Sequence, residues 1–230
     1  MIDEEMKALF ERAKKVDPAQ IGHYVLGGYM NGRIRPVTDD MVVIGPAFTV
    51  RLPYNDNAIL YHAVEQAPEG SVIVIDRMGE DRFACIGEIC ALNAKMRGMA
   101  GMIVDGPNAD TRALKTMGFP VFSTGRAPAT NSLKGLGGEF NVAIHCGGAV
   151  VRPGDIVYGD LDGVIVAPPD EFEHLVETAE AATRDEVEFL KPMLLEGRHL
   201  TEVWNFERLS KMGINAAVAE LLKVEGGMKV

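Results

Sequence analysis

The stretch Ile86 to Leu114, IGEICALNAKMRGMAGMIVDGPNADTRAL, limits the fold more than any other part of the chain. Ile89, Leu92, Ala94, Met96 and Met99 recur at roughly helical spacing after Gly87-Glu88, so the stretch opens as a helix. Gly98 and Gly101 punctuate its exit. Met102 to Asp105 is then an apolar run of strand length, ended by Asp105-Gly106-Pro107. Asp110 opens a further helix. Helix, strand and helix in such close order predict an α/β fold, because a buried strand of this kind belongs to a sheet covered by helices. The Gly-Glu helix start and the acidic turn can face each other across one crevice, a common setting for a small anion or a metal ion.

The same grammar extends upstream. Residues 3–15 read as an amphipathic helix, and Asp17-Pro18 caps a second that runs to about Leu26 and closes at Gly27-Gly28. Val42 to Leu52 is rich in β-formers but broken by Gly45-Pro46, which predicts a bent strand or two strands. Asn55-Asp56-Asn57 caps a helix to about Gln66, and Ser71 to Asp76 is a buried strand ending, like Met102 to Asp105, in a carboxylate. Gly135, Gly137 and Gly138 look like a phosphate-binding loop, but no strand precedes them and no helix follows, so they read as a turn.

From Phe140 to Ala167 short strands alternate with turns, the mark of antiparallel or mixed pairing. Pro168-Pro169 stops them, and a long helix with an acidic outer face runs from Asp170 to about Glu196. Two further helices follow, the first carrying Trp204. The expected organisation is one αβ domain over residues 1–197 and a helical extension over 198–230 that packs on a neighbouring subunit.

A net charge of −10 argues against nucleic acid as a partner, since phosphate binding needs clustered Lys and Arg. No apolar run approaches the ~18 residues that span a bilayer, and the charged first helix does not read as a signal peptide. A cytoplasmic protein is expected. Cys85, Cys90 and Cys146 form no CxxC pair, so they read as small apolar packers rather than a disulfide framework or zinc site.

Gly87-Glu88, Ala94, Arg97-Gly98, Gly101 and Asp105-Gly106-Pro107 to Asp110 together resemble the RraA-like family, which includes the 4-hydroxy-4-methyl-2-oxoglutarate aldolases and the RNase E regulator proteins. Asn55-Asp56-Asn57, Pro120-Val121-Phe122 to Pro128, and Pro153-Gly154-Asp155 through Pro168 are similar to further family segments in the same order. The resemblance implies a β/β/α sandwich like the swivelling phosphohistidine domain, with flanking helices, assembled as a homotrimer or homohexamer. It also implies chemistry on pyruvate-type 2-oxo acids with a divalent cation, Mg²⁺ or Mn²⁺.

In the aldolase members an acidic residue precedes an Arg-Asp pair at a spacing that falls here on Glu88, Ala109 and Asp110. The resemblance makes Asp110 the direct metal ligand, places Glu88 one water further out, and assigns the substrate carboxylate to the N–H groups of Ile89 and Cys90 after Gly87. The family's arginine is replaced by Ala109, and losing one such donor typically costs ~10²–10³-fold in rate. Arg112, about one helical turn on, and Arg126, in the loop after the next strand, are the candidates to replace it. Three readings stay open: a metal-dependent lyase, retro-aldol or oxaloacetate-decarboxylating; a non-catalytic regulator that binds a partner protein; and the same metal site turned to another substrate. Taken without the resemblance, Glu88 is equally a favourable helix-dipole residue and Asp110 an N-cap.

Overall fold

The alternation of helix and strand signals is realised along residues 2–199 and Val203, which a computed structural model describes. In chain order the elements are α1 (Glu4–Ala13), α2 (Pro18–Gly22), β1 (Arg35–Pro36), β2 (Val43–Arg51), α3 (Ala58–Gln66), β3 (Val72–Asp76), α4 (Glu88–Met96), β4 (Gly101–Val104) and β5 (Pro107–Asn108). They continue with α5 (Thr111–Met117), β6 (Val121–Ser123), β7 (Gly125–Arg126), β8 (Glu139–Phe140), β9 (Ile144–Cys146), β10 (Ala149–Val151), β11 (Ile156–Gly159), β12 (Val164–Ala167) and α6 (Pro169–Glu196). The chain divides into two compact units, Met1–Glu180 and Ala181–Val230. In the second, the end of α6 is described, whereas the expected helices beyond residue 200 lie, apart from Val203, outside the described residues.

The main sheet has the order β1-β6-β4-β3-β2-β11-β12, with β8 also paired to β2. Strands β2, β3, β4 and β6 run parallel, and their crossovers carry α3, α4 and α5. Alternate residues of β3 face opposite ways, as the two-residue period requires. Ile73 and Ile75 join Leu60, Ala63, Val64, Cys90, Ala91, Ala94 and Leu114 under the three helices. Val72 and Val74 pack on the other face with Ile144, Cys146, Ala149 and Val151 of the β9–β10 hairpin. A third cluster places Phe10, Ile21, Phe172 and Val176 of α1, α2 and α6 against Ile156, Tyr158 and Ile165. The fold is thus mixed α/β, with a helical layer, a curled sheet and a hairpin in β/β/α succession.

Two local expectations need correction, and a third is narrowed. Helix α2 ends at Gly22, not near Leu26, and Gly28 is no helix terminator. Its backbone lies against β12, with Val166 N–H donating to the Gly28 carbonyl, and a Cβ at Gly28 would collide with the Val166 carbonyl. Of the two possibilities at Gly45-Pro46, a bent strand or two strands, the structure has a single strand. Val43 to Pro46 pairs antiparallel with β11, and Ala47 to Arg51 pairs parallel with β3, so the proline marks a change of partner. The glycine-rich loop is an anion cradle after all, but its anion is internal. The buried Asp56 carboxylate accepts N–H bonds from Lys134 at 2.9 Å and from Leu136.

Candidate active site

The acidic turn after β4 is held on both sides by backbone pairing. Pro107-Asn108 runs parallel to Gly125-Arg126, and on the other side Asn108 bridges to Ile86, with Ala109 N–H donating to the Ile86 carbonyl at 2.8 Å. Asn108 is buried, and its side chain ties the turn together. It donates to the Ala109 carbonyl and to Thr111 Oγ1, both at 3.0 Å, and accepts from Ser123 Oγ at 2.8 Å.

This scaffold imposes an unusual backbone on Asp110, whose φ of 50° is left-handed. A non-glycine residue keeps such a conformation only where its surroundings over-determine it, and such residues concentrate at functional sites. Asp110 sits at the N-cap of α5 without capping it through its side chain. The carboxylate crosses instead to the start of α4, where Oδ2 accepts the Glu88 N–H at 3.0 Å. Gly87 makes the approach possible, because a Cβ there would lie 2.5 Å from Asp110 Oδ2.

The remaining geometry is that of an anion seat. The first turn of α4 leaves N–H groups without intrahelical acceptors. Glu88 gives its own to Asp110, while those of Ile89 and Cys90 have no protein acceptor among the described residues. Glu88 and Asp110 are both exposed. Their oxygen-only donor set suits a hard, hydrated cation such as Mg²⁺, which binds through one or two carboxylates and keeps several waters. Among the described residues no group of three His, Cys, Asp or Glu side chains is placed to hold a metal ion. The Cys90 sulfur, two residues after Glu88 on α4, is buried, and burial pushes its thiol pKa up. The residues present therefore fit Mg²⁺ or Mn²⁺ and not a thiolate-bound metal.

Ala109 is buried beside Gly87. The two proposed substitutes for its missing charge are placed differently. Arg126 lies on β7 opposite Asn108, next to the turn, and Arg112 lies in the first turn of α5. Both are exposed, and neither side chain has an ion-pair or hydrogen-bond partner among the described residues.

The two aspartates that end β3 and β4 have structural work. Asp105 accepts from Arg33 and, at 2.9 Å, from the Gly147 N–H at the tip of the β9–β10 hairpin. Asp76 caps the Met78 N–H at 2.7 Å. The open carboxylates of this sheet edge are thus Glu88 and Asp110. Sequence reasoning passed over Asn108, whose only signal was an amide in an Asp-Gly-Pro turn, and Arg77, a fully buried side chain following β3.

Comparison with known proteins follows the same lines. The family model described as RraA-like: Aldolase/RraA matches residues 20–166. A protein of Halalkalibacterium halodurans, provisionally named 4-hydroxy-4-methyl-2-oxoglutarate aldolase, is 38% identical over 157 residues, 68% of this chain and 74% of its own. An uncharacterised protein of Methanocaldococcus jannaschii is 34% identical over 181 residues, 77% of this chain and 85% of its own. Among solved structures, Streptomyces coelicolor RraAS2, described as an unusual member of the RNase ES inhibitor RraA protein family, is similar with a TM-score of 0.69 and 26% identity. That match covers 80% of this chain and 94% of RraAS2.

Proposed function

The chain belongs to the RraA-like family, and on that premise we propose that it is a divalent-cation-dependent lyase acting on pyruvate-type 2-oxo acids. Its reaction is retro-aldol cleavage of a 4-hydroxy-2-oxo dicarboxylate, decarboxylation of oxaloacetate, or both. The observation that carries this reading is the Asp110 carboxylate fastened beside two free N–H groups of α4. The aldolase name of the 38% identical relative supports the class of reaction.

Asp110 and Glu88 would hold Mg²⁺ or Mn²⁺, which when bound supplies Lewis acidity at the substrate's ketone oxygen. The N–H groups of Ile89 and Cys90, at the positive end of the α4 dipole, receive the 1-carboxylate and orient the substrate. Glu88 then acts as the base. Its carboxylate takes the proton of the 4-hydroxyl, the C3–C4 bond breaks into a carbonyl and pyruvate enolate, and the same proton is returned to C3. The exposed Ile89, Leu92 and Met96 form an apolar stripe on α4 beside this site, which suits a homotrimer or homohexamer in which a second subunit covers it.

The test is pyruvate release from oxaloacetate and from 4-hydroxy-4-methyl-2-oxoglutarate with Mg²⁺ or Mn²⁺, with and without a chelator. Release that the chelator stops, and that Asp110→Asn lowers at least about 10²-fold, is the expected result; no chelator-sensitive release from either acid overturns it.

Ala109 favours a second reading, a regulator that binds a partner protein, because an alanine there leaves the scaffold without a cation in the turn. A stable complex with a ribonuclease, in a chain that releases no pyruvate, would select that reading.

A further inference from the structure

Asp110 stands at the N-cap of α5, where an aspartate ordinarily has extended backbone and accepts an N–H of its own helix. Here it has a φ of 50° and a ψ of 35°, and its carboxylate goes to the Glu88 N–H of α4 instead. The Arg112 N–H, at the second position of α5, is left with no protein acceptor among the described residues. A left-handed backbone is costly for a residue with a Cβ, and in this place it also forgoes a cap. Another interaction must therefore hold it.

The Asn108 carboxamide brackets Asp110. Its Nδ2 donates to the Ala109 carbonyl on one side and to Thr111 Oγ1 on the other, both at 3.0 Å. Its Oδ1 accepts from Ser123 Oγ at 2.8 Å, at the end of β6. A carbonyl can only accept, so the group facing Ala109 is the NH₂, and the amide has one orientation. Asn108 is 2% exposed, and its backbone is paired on both sides, with Ile86 and with Arg126. The φ and ψ of Asp110 set the separation of the two groups that Nδ2 bridges. Turning Asp110 to the extended backbone of an ordinary cap pulls them apart and leaves a buried donor unmatched, which costs more than a hydrogen bond is worth on average.

We infer that Asn108 is a positioning residue that decides which helix receives the Asp110 carboxylate. Bracketed, Asp110 serves the start of α4, beside the free N–H groups of Ile89 and Cys90. Released, it falls back to capping α5 through the Arg112 N–H. The inference rests on the lyase reading only for its effect on rate, because the placement of the carboxylate belongs to the unliganded chain.

The experiment is amide hydrogen exchange, read residue by residue by NMR on the unliganded full-length protein, in wild type and Asn108→Leu. Leucine keeps the volume and removes both donors, while Ser123 Oγ retains the Gly125 carbonyl at 3.2 Å. In this variant the Glu88 amide exchanges about tenfold or more faster, the worth of one hydrogen bond to a charged group, and the Arg112 amide slows by a similar factor. The Ala91 amide, bonded to the Gly87 carbonyl at 3.0 Å, keeps its rate. A merely structural loss frees Glu88 and Ala91 together and slows nothing. Should Asn108→Leu fail to fold, Thr111→Val removes one acceptor at constant shape and gives the same pair of shifts, smaller. Unchanged exchange at Glu88 in the folded variant, or faster exchange there with no slowing at Arg112, overturns the assignment. On the lyase reading, Asn108→Leu also lowers kcat for pyruvate release about 10²-fold and holds KM, since the N–H groups for the 1-carboxylate stay in place. A chain that shows the paired shifts but releases no pyruvate loses the lyase reading alone. One that releases pyruvate, with exchange at Glu88 and Arg112 unchanged in the variant, loses the Asn108 reading alone.

Discussion

The Asp110 carboxylate accepts the backbone N–H of Glu88 at 3.0 Å, across the gap between the start of one helix and the start of the next. A carboxylate in this position feels the positive end of the α4 dipole and takes up one of that helix's unsatisfied donors. The cost is local: a left-handed φ at Asp110 and no room for any side chain at residue 87. Both costs fall where sequence and structure place the candidate site.

Gly87→Ala tests that arrangement directly. A methyl group 2.5 Å from Oδ2 forces Asp110 away from α4. Displacing a catalytic group by about an ångström costs on the order of 10²-fold in rate, whereas overpacking one methyl costs about 1–3 kcal/mol of stability. The expected variant is folded by circular dichroism but releases pyruvate about 10²-fold more slowly. Wild-type rates in this variant would mean that Asp110 does not act from this position.

Asp105 and Asp110 have opposite expected behaviour. Asp105 holds the hairpin tip through the Gly147 N–H and is paired with Arg33. Asp105→Ala removes both partners' acceptor and lowers the thermal midpoint by several degrees, the response to roughly 1–3 kcal/mol. Its KM for a 2-oxo acid at a temperature where it is folded stays near wild type. Asp110→Asn does the reverse, with rate lost and midpoint held.

The thiols give a third check. Cys85, Cys90 and Cys146 are all buried and free, and burial raises each thiol pKa, that of Cys85 to about 11. Because the thiolate is the reactive form, Ellman's reagent at pH 8 finds essentially no reactive thiol in native protein and all three in denaturant. Rapid native labelling would show that α4 or the hairpin opens readily.

Much of this architecture was legible in the sequence, and the failures have a common cause. Strands β3 and β4 and helices α3 and α4 follow from apolar runs and periodicity because those signals are local. The Gly45-Pro46 break left one strand or two open, because the reason for it is that β2 changes partner there and β11 lies far along the chain. The glycine-rich loop lacked its usual flanks, and nothing local reveals that Asp56 is what it wraps. Spacing brought Glu88 and Asp110 together. It could not tell that the Glu88 backbone N–H makes the contact with Asp110, nor that Asp105 is consumed by the hairpin. Arg77 reads like any arginine of a charged loop, because burial is a tertiary property.

Asp56 carries the pH prediction. Burial alone raises its pKa, but the N–H groups of Lys134, Ala58, Leu136 and Gly135 outweigh that effect, and the pKa is held below the ordinary carboxylate value. Between the folded and unfolded pKa values the unfolded chain binds the extra proton, so stability rises with pH in that window. The contribution is therefore complete above the unfolded value, about 3.9, and is lost as pH falls through the folded one. Glu80 acts in the same direction, drawn to about 2 by hydrogen bonds from Arg82, but Arg82 is exposed and salt screens the pair. In high salt the remaining acid sensitivity belongs to Asp56 and to Asp40, which a hydrogen bond from the Thr38 side chain also holds low. The urea midpoint is expected to stay flat from about pH 7 to 5 and to fall below about pH 4. Asp56→Asn should lower the midpoint at neutral pH, by about 1–3 kcal/mol for the donors it leaves poorly matched, and flatten the acid limb. An acid limb of unchanged steepness in Asp56→Asn at high salt would assign the sensitivity to other carboxylates and leave the cradle with no electrostatic role.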